Sequence, residues 1–334
     1  MSGLAAAHTL QDASNTVTIF EQTCDVGGRT TTQQCEGYIY DSGAQYIKPG
    51  AVSMPFVTER FALPDLIDIP KPVWIFDQHS HIQEGDPSQN AEPKWSYRSG
   101  LIALAHRMAQ GLDIRLNTPI TRLLHTGQGW QVFSRSNRPL GTFERLLITM
   151  PAPQAANLIA ASTLPANLQA RVIDLLRTAR YNPIISVMLG YAPIPPERPY
   201  YALVNTDRAH PISWLAWEHE KSPHRAPEGS GLLIAQMGPS YSQQHRDRSD
   251  EEIIRDTAIH VANLLQEPLA EPIFSAIQRW PLALPSQKAD ADALNALTIP
   301  LGLAFCGDSF TGGRAHLSLE HGVNVAKQLT AERS

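Results

Sequence analysis

The spacing of hydrophobic residues predicts helices and strands in an order typical of a mixed α/β protein. Residues 3–13 carry alanines at helical spacing and predict a helix, whereas the apolar run at residues 16–21 predicts a short buried strand. A further helix is predicted from residue 99 to Gly111, because glycine commonly follows the last helical turn. At the other end of the chain, residues 301–330 predict a strand followed by a helix.

The middle of the chain predicts two different kinds of sheet. Residues 114–116 and 120–124 predict two strands, and residues 130–133 are predicted to pair with the second of them as a β-meander. Residues 145–149 predict a return to a buried parallel strand. Beyond Pro151 the pattern changes. Strands are predicted at 184–191, 199–204, 212–218 and 231–237, between a helix near 168–179 and a helix that follows the capping box Ser249–Glu252. Helices that flank several antiparallel strands indicate an α+β unit.

The fold class predicted from these patterns is α/β. It combines a Rossmann-like nucleotide-binding domain, made of a parallel sheet and a β-meander, with an α+β substrate domain built on an antiparallel sheet. We expect the first domain to comprise residues 1–48, 99–155 and 300–334. The second domain then comprises residues 49–98 and 156–299. Residues 49–98 are rich in prolines and aromatic residues.

Composition narrows the class of protein. A chain of 334 residues is long enough for two domains, and a net charge of −5 with scattered basic residues gives no reason to expect a nucleic-acid partner. Three cysteines make no disulfide framework, which indicates a reducing compartment. We find no apolar stretch of membrane-spanning length, no secretory signal and no metal-ligand spacing. The sequence therefore predicts a cytoplasmic protein without a metal.

A nucleotide site is predicted at the start of the chain. Ser2 and Gly3 begin the first helix, whose N-terminus suits a pyrophosphate. Glu21 ends the strand predicted at residues 16–21, about 20 residues later. An acid there accepts hydrogen bonds from the adenosine ribose, which favours FAD or NAD over NADP. Met1–Gly3 match the end of a Gly-x-Gly-x-x-Gly loop. We therefore expect the natural polypeptide to begin some 12–15 residues upstream, with one more strand and two glycines.

Three further blocks identify a family resemblance. They are Gly27-Gly28-Arg29, the segment Tyr40–Tyr46, and Gly302–Asp308 ahead of a helix that contains Gly322 and Ala326. In this order and at these distances they resemble the flavin-dependent amine oxidase superfamily, and within it the renalase-like NAD(P)/FAD-dependent oxidoreductases. The resemblance covers nearly the whole chain. One departure lies at Arg314–Ser318, where the Glu-Gly-Ala of many amine oxidases is replaced by His316-Leu317-Ser318.

The resemblance implies that FAD is the cofactor and assigns residues to it. Gly28 and Arg29 lie beside the flavin phosphates and ring, Gly307 and Asp308 bind the ribityl chain, and the backbone of Ile120 holds adenine. The complete predicted FAD site is Ser2, Gly3, Glu21, Gly28, Arg29, Gly43, Ala44, Gln45, Ile120, Gly307, Asp308 and His316. For His316 two roles stay open: contact with the flavin, or a polar place in the first helical turn.

The sequence does not assign a catalytic residue. Tyr46 and Trp280 are candidates for the walls of a substrate pocket, and Trp280 follows Arg279 at the end of a predicted strand, an Arg-Trp block that matches the resembled family. Trp214 and Trp217 are further candidates, although large aromatic residues in a sheet are commonly part of its core. Cys306 is expected to be a buried small side chain, and no lysine matches the one near flavin N5 in monoamine oxidases. The predicted function is an FAD-dependent oxidase that takes a hydride from a small molecule, a reduced nicotinamide isomer or an amine, with oxygen as acceptor. A flavin desaturase or dehydrogenase with another acceptor, and a truncated non-catalytic chain, are the alternatives. The sequence does not predict the oligomeric state.

Overall fold

A computed structural model describes residues 1–331, with the side chains of all of these except Ser136 and Ala166. The helices are α1 (Ser2–Asp12), α2 (Ser53–Pro55), α3 (Pro87–Ala91), α4 (Ile102–Ala109), α5 (Ala152–Ala160), α6 (Ala166–Leu176), α7 (Pro239–Gln244), α8 (Asp250–Leu265), α9 (Ala291–Thr298), α10 (Asp308–Thr311) and α11 (Ala315–Ala331). The strands are β1 (Thr18–Phe20), β2 (Thr32–Cys35), β3 (Tyr38–Asp41), β4 (Leu66–Asp68), β5 (Val73–Phe76), β6 (Ile82–Gln83), β7 (Trp95–Tyr97), β8 (Asp113–Arg115), β9 (Ile120–Thr126), β10 (Gly129–Ser134), β11 (Pro139–Phe143), β12 (Leu146–Ile148), β13 (Arg180–Tyr191), β14 (Ala202–Asn205), β15 (Ile212–Trp217), β16 (Gly231–Met237), β17 (Phe274–Gln287) and β18 (Leu303–Phe305).

The ends of the chain meet in the parallel part of the fold. Strand β1 pairs in parallel with β8, and β12 pairs in parallel with β18, while β9, β10 and β11 form an antiparallel meander. Helices α1 and α11 pack closely, since a Cβ on Gly322 would collide with the carbonyl oxygen of Ser2. The predicted parallel strands and meander are thus confirmed, and α1 begins beside the last helix of the chain.

The second part of the fold is built on one large sheet in the order β17-β13-β16-β15-β14-β5-β6. All its neighbours are antiparallel except β5 and β14. Helix α8 covers one face through Ile253, Val261 and Leu264. The predicted capping box at its start is present, because Ser249 and Glu252 each bond the other's backbone N–H. The antiparallel prediction holds apart from that one pair.

The hairpin β2–β3 joins the two parts. Tyr38 and Tyr40 pack against Phe274 of β17, and all three belong to one buried hydrophobic cluster with Met188 of the large sheet. We propose the same division as the sequence predicts, with this hairpin belonging to the first domain (residues 1–48) and packing against the second. Residues 332–334 of the predicted first domain lie outside the described part of the chain.

Two local predictions are wrong. A single helix was expected after Gly307, but α10 and α11 are separated by Gly312 and Gly313, whose φ angles of +99° and +83° break the helix. Trp280 was expected at a strand end, yet β17 continues to Gln287 through two prolines. Proline is tolerated there because β17 is an edge strand, where one side of the backbone needs no partner.

None of the helices within residues 1–331 is long and apolar enough to cross a membrane.

Candidate functional site

One cavity of about 1750 Å³ lies between the two parts of the fold. Single-ligand pockets usually occupy about 300–1,000 Å³, so this space can hold a dinucleotide together with a second small molecule. Every residue of the predicted cofactor site lines it except Gly307: Ser2, Gly3, Glu21, Gly28, Arg29, Gly43, Ala44, Gln45, Ile120, Asp308 and His316. Tyr46 and Trp280 line it as well.

The first turn of α1 forms one wall of this cavity. Ser2 is buried, and a Cβ on Gly3 would come within 3.2 Å of the Oγ1 atom of Thr149, so a larger residue would crowd this side chain in the loop after β12. Unpaired backbone N–H groups at a helix N-terminus carry partial positive charge. This wall therefore suits an anionic group.

Glu21 lies directly after β1 at the same end of the cavity. Its Oε1 atom accepts hydrogen bonds from the backbone N–H and the hydroxyl of Thr23, at 2.9 and 2.8 Å. The carboxylate is therefore held in one orientation, and its second oxygen has no hydrogen bond to any other described residue. Ile120, the first residue of β9, lines the cavity with Glu21.

Arg29 and Asp308, 279 residues apart in the chain, form an ion pair of 2.6 Å at the centre of the cavity. The Arg29 guanidinium also donates to the carbonyl oxygens of Leu282 and Ala283, at 2.7 and 3.1 Å. Gly28 and Gly307 precede the two charged residues with φ angles of +60° and +124°, a conformation that glycine adopts without strain. These turns place both side chains at one point.

One of the two carboxylate oxygens of Asp308 is not hydrogen-bonded to the described part of the protein. Its Oδ1 atom is bonded by Arg29, whereas Oδ2 is buried and has no hydrogen-bond partner among the described residues. A buried carboxylate oxygen without a donor is costly, so a partner outside the protein chain is expected at this position.

The segment Gly43–Gln45 runs along the cavity beside Arg29. The backbone N–H of Ala44 donates to the carbonyl oxygen of Arg29 at 2.9 Å, and a Cβ on Gly43 would collide with that same oxygen. Gln45 is buried and donates to the carbonyl oxygen of Asp41 at 2.6 Å. Only glycine therefore fits at position 43, and the segment presents a close-packed backbone to the cavity.

The large sheet forms the opposite wall. Gln278, Ser186, Gln236 and Trp214 lie side by side across β17, β13, β16 and β15. Trp280 shares this face because it is two residues beyond Gln278, and side chains on a strand alternate between faces. We call the space bounded by Gln33, Tyr46, Trp214, Gln236, Gln278 and Trp280 the aromatic chamber.

Hydrogen bonds fix several walls of the aromatic chamber. The indole N–H of Trp280 donates to the carbonyl oxygen of Ser42 at 2.9 Å, and Gln236 Nε2 donates to the carbonyl oxygen of Gly43 at 2.8 Å. The rings of Tyr46 and Trp214 lie 6.1 Å apart at 47°, and burial raises the pKa of Tyr46. No hydrogen bond from a residue in the described range 1–331 reaches the side-chain carbonyl oxygen of Gln236, so this oxygen can accept one from a ligand.

The predicted Arg-Trp block therefore divides between two faces. Arg279 points away from the aromatic chamber and pairs with Asp250 of α8, while one of its N–H groups donates to the carbonyl oxygen of Arg248 at 2.9 Å. Trp217, another tryptophan considered from the sequence, is 1% exposed in the core beneath the sheet. Trp214 and Trp280 line the cavity and Trp217 does not; Arg279 also lines it, although its guanidinium is bonded to Asp250.

His316 and Cys306, two single residues considered from the sequence, are both buried. His316 is 9% exposed at the second position of α11, and burial lowers its pKa, so the imidazole is neutral near pH 7. Cys306 is fully buried, and burial raises the pKa of its thiol to about 12, which makes it an inert small side chain as expected. No group of metal-ligating side chains is present among residues 1–331.

A charged cluster beneath the aromatic chamber has no counterpart in the sequence-based site. Asp41, Glu218, Lys221 and Arg225 all have fully buried side chains and form a closed set of ion pairs, which we call the buried quartet. Lys221 Nζ lies 3.0 Å from Asp41 Oδ2 and 2.9 Å from Glu218 Oε2. Burial alone would raise the pKa of Asp41, but Arg225 and Lys221 outweigh it and hold that pKa well below its usual range.

The buried quartet connects the two parts of the fold under the cavity wall. Arg225 donates to the carbonyl oxygen of Tyr97 at 2.6 Å, and Asp41 accepts from the backbone N–H of Leu101 at 2.8 Å. Lys221 also lies 3.3 Å from the Oε1 atom of Gln45. No local pattern in the sequence indicates these contacts, because the four residues come from β3 and from the loop after β15. Lys221 is accordingly not a cavity lysine; the lysine that lines the described cavity is Lys48.

Comparison with known proteins gives a consistent result. The family model described as flavin containing amine oxidoreductase matches residues 1–89 and 75–330. Coproporphyrinogen III oxidase of Bacillus subtilis (strain 168) is 26% identical over 223 residues, which span 64% of this chain and 45% of that protein. The chain thus spans less than half the length of this curated relative.

Solved structures share the fold at low sequence identity. A proposed protoporphyrinogen oxidase from Exiguobacterium sp. 255-15 superposes with a TM-score of 0.78 at 15% identity, covering 99% of this chain and 97% of that one. Cyclohexylamine oxidase from Brevibacterium oxydans IH-35A superposes with a TM-score of 0.74 at 16% identity, with the same two coverages. At such identities the likeness shows the fold, and this fold agrees with the α/β class predicted from the sequence.

Proposed function

This chain belongs to the family of flavin containing amine oxidoreductases, and we propose that it is an FAD-dependent oxidase that removes a hydride from a small, flat molecule. The observation that carries the proposal is the single cavity of about 1750 Å³ that joins Glu21, the Arg29–Asp308 pair and the aromatic chamber. Its nucleotide end matches a dinucleotide, and its other end matches an aromatic or heterocyclic substrate.

The residues present fit FAD. The unpartnered Oδ2 atom of Asp308 would accept a hydrogen bond from a ribityl hydroxyl, and the free oxygen of Glu21 would bind the adenosine ribose. Ser2 and Gly3 at the start of α1 would receive the pyrophosphate. Each of these roles uses a donor or acceptor that the described protein leaves open.

The remaining assignments follow from the same cavity. Gly28 and Arg29 would lie beside the phosphates and the ring, and Gly43, Ala44 and Gln45 would present backbone to the ring face. Gly307 would set the turn that aims Asp308. The backbone of Ile120 would hold adenine, and neutral His316 would lie near the ring.

Bound FAD supplies a two-electron acceptor in its ring system. The chain contributes orientation and exclusion of water: Tyr46, Trp214 and Trp280 would hold a flat substrate, and the free carbonyl oxygen of Gln236 would accept one of its N–H groups. Hydride removal needs such positioning more than an acid–base pair. Overall the substrate loses a hydride, which is two electrons and one proton. Oxygen takes up these two electrons and this proton, together with one proton from solvent, to give hydrogen peroxide.

Two substrate classes are candidates. A reduced nicotinamide isomer matches a flat ring with an amide, as the resemblance to renalase-like proteins suggested. The relative named coproporphyrinogen III oxidase adds a reduced cyclic tetrapyrrole. Its macrocycle is larger and not flat, but each of its pyrrole rings is flat and carries an N–H group that also suits Gln236. Simple amines form the comparison class.

The test is anaerobic stopped-flow reduction of the enzyme-bound flavin, followed at the flavin absorption bands. Dihydronicotinamide isomers, coproporphyrinogen III and benzylamine are mixed with the holoenzyme in turn, and reoxidation by air is then measured. We expect bleaching by one of the first two and rapid recovery in air. A Gln236→Leu variant should raise KM more than it lowers kcat, because it removes a binding contact.

Other outcomes would replace this proposal. Bleaching by benzylamine alone would assign the protein to amine oxidation proper. Bleaching without recovery in air would favour a dehydrogenase or desaturase with another acceptor. Failure of the purified protein to retain any flavin would favour a non-catalytic chain.

A further inference from the structure

The charged residues of the cavity are divided unequally between its two ends. The carboxylates that line it are Glu21, Asp25, Glu144 and Asp308. Three of these carboxylates lie at the nucleotide end and have polar partners there. Thr23 donates to Glu21, His106 contacts Asp25 at 2.8 Å, and Arg29 pairs with Asp308. Glu144 lies between β11 and β12, in the parallel part of the fold. Among the described residues that line the aromatic chamber, none is acidic.

The side of the aromatic chamber next to Tyr46 carries positive charge instead, and we call this side the entrance because Arg314 is exposed there. Lys48 and Arg314 both line the cavity next to Tyr46, and Arg314 influences the pKa of that tyrosine from nearby. Lys48 is paired at 2.7 Å with Glu92, which is 55% exposed and lies outside the cavity lining. Arg314 has no ion pair within 4 Å among the described residues. One cation at the entrance is therefore uncompensated.

Arg314 is also fixed at its base. Its carbonyl oxygen accepts the hydrogen bond from Ser318 N–H at 3.0 Å that starts α11, and the preceding Gly313 packs tightly on Leu284 and Pro285 of β17. Arg314 is thus an exposed cavity residue whose backbone is held in place by these contacts. A guanidinium presents paired N–H donors that match the oxygens of carboxylate and phosphate groups.

We propose that the substrate carries an anionic group, a carboxylate or a phosphate, and that Arg314 binds this group at the entrance while the ring to be oxidised lies in the aromatic chamber. This rests on the proposed function and narrows its substrate class. The aromatic walls could attract a cation through their π-systems, but the uncompensated positive charge beside them opposes it. The site therefore selects against simple protonated amines.

Static binding tests this without any turnover. Benzoate, phenyl phosphate and their neutral counterpart benzamide are titrated into the oxidised holoenzyme, and the perturbation of the flavin absorption bands gives each Kd. We expect at least one anion to bind about tenfold tighter than benzamide, which corresponds to about 1.4 kcal/mol. Which anion binds better separates a carboxylate site from a phosphate site.

Three variants complete the test. Arg314→Gln should abolish the preference for the anion, and Arg314→Lys should restore part of it. Arg246→Gln is the matched control, because it removes the same charge from a side chain that is 65% exposed and lies outside the cavity lining; it should keep the preference. Benzamide binding as tightly as both anions, or an undiminished preference in Arg314→Gln, would overturn the proposal.

The two proposals fail in different ways. An anion preference that depends on Arg314, together with no flavin reduction by any substrate class, would remove the oxidase assignment and leave the anion site standing. Flavin reduction by neutral dihydronicotinamide riboside as efficiently as by its phosphorylated mononucleotide would sustain the oxidase and overturn the anion site.

Discussion

Replacing Lys221 by methionine tests whether the buried quartet holds the two parts of the fold together. Methionine has a similar length and keeps most of the packing, so the change removes mainly the charge. Wild type encloses two cations and two carboxylates with no exposed side-chain surface. In the variant, Asp41 and Glu218 share Arg225 alone.

The size of the effect follows from this imbalance. Removing one partner of a fully buried ion pair typically costs about 3–5 kcal/mol, because an uncompensated charge remains out of water. Lys221 contacts both carboxylates within 3.0 Å and also approaches Gln45. We therefore expect the variant to lose about 3–5 kcal/mol, a large part of the 5–15 kcal/mol by which proteins are usually stable.

Urea unfolding of the FAD-loaded protein, followed by tryptophan fluorescence and by far-ultraviolet circular dichroism, measures this loss. Lys71→Met is the matched control. Lys71 also contacts two carboxylates, Glu197 and Glu220, each at 2.9 Å, but its side chain is 22% exposed. We expect it to cost no more than about 1 kcal/mol, as exposed pairs do.

The double variant Asp41→Asn/Lys221→Met removes one charge of each sign. Because Arg225 and Glu218 then balance, it should lose less than the sum of the two single variants. A Lys221→Met protein within about 1 kcal/mol of wild type, or strictly additive losses in the double variant, would refute the reasoning and leave the quartet without a stabilising role.

Three further predictions concern the cavity and its support. Gly43→Ala forces a methyl group onto the Arg29 carbonyl and should cost about 1–3 kcal/mol and weaken FAD retention, whereas Gly127→Ala, with nothing within 4 Å of the new methyl group, should be near neutral in urea unfolding. The pKa of Asp41 is depressed in the fold, so its stabilisation is complete above its unfolded pKa of about 3.9 and is lost as pH falls below that value; unfolding midpoints measured from pH 6 to pH 3 should show this decline, and Asp41→Asn should flatten it. Glu21→Ala should weaken FAD binding by about 1.5–3 kcal/mol in a fluorescence titration, while a change at the exposed Glu84 should not; equal affinities would remove Glu21 from the site.

The pattern of the sequence predicted much of the secondary structure. The helix that became α1, the meander and the capping box of α8 all follow from periodicities or short-range contacts, which depend only on residues near one another in the chain. Gly28 and Gly307, which the family resemblance assigned to the cofactor site, both have a positive φ in the structure. β17 was misjudged because its prolines suit an edge strand, and edge position is a property of the whole sheet.

Some of the predicted cofactor residues reach one cavity because they follow a parallel strand, as Glu21 does, or begin a helix, as Gly3 and Asp308 do. The sequence indicated which residue types bind the cofactor, but not which of them contact each other. Arg29 and Asp308 form an ion pair although they are 279 residues apart in the chain. The same holds for the face of β17, where register with β13 sends Trp280 to the cavity and Arg279 to α8.

The buried quartet and the charge of the aromatic chamber were decided by tertiary structure alone. Asp41 and Arg225 are 184 residues apart, and nothing near either one predicts that both are excluded from water. Burial converts an ordinary surface charge into one that must be matched, and only the packed fold determines which charges are buried. The sequence therefore determined the family and its elements, while long-range packing determined which charges support the cavity and which one faces the substrate.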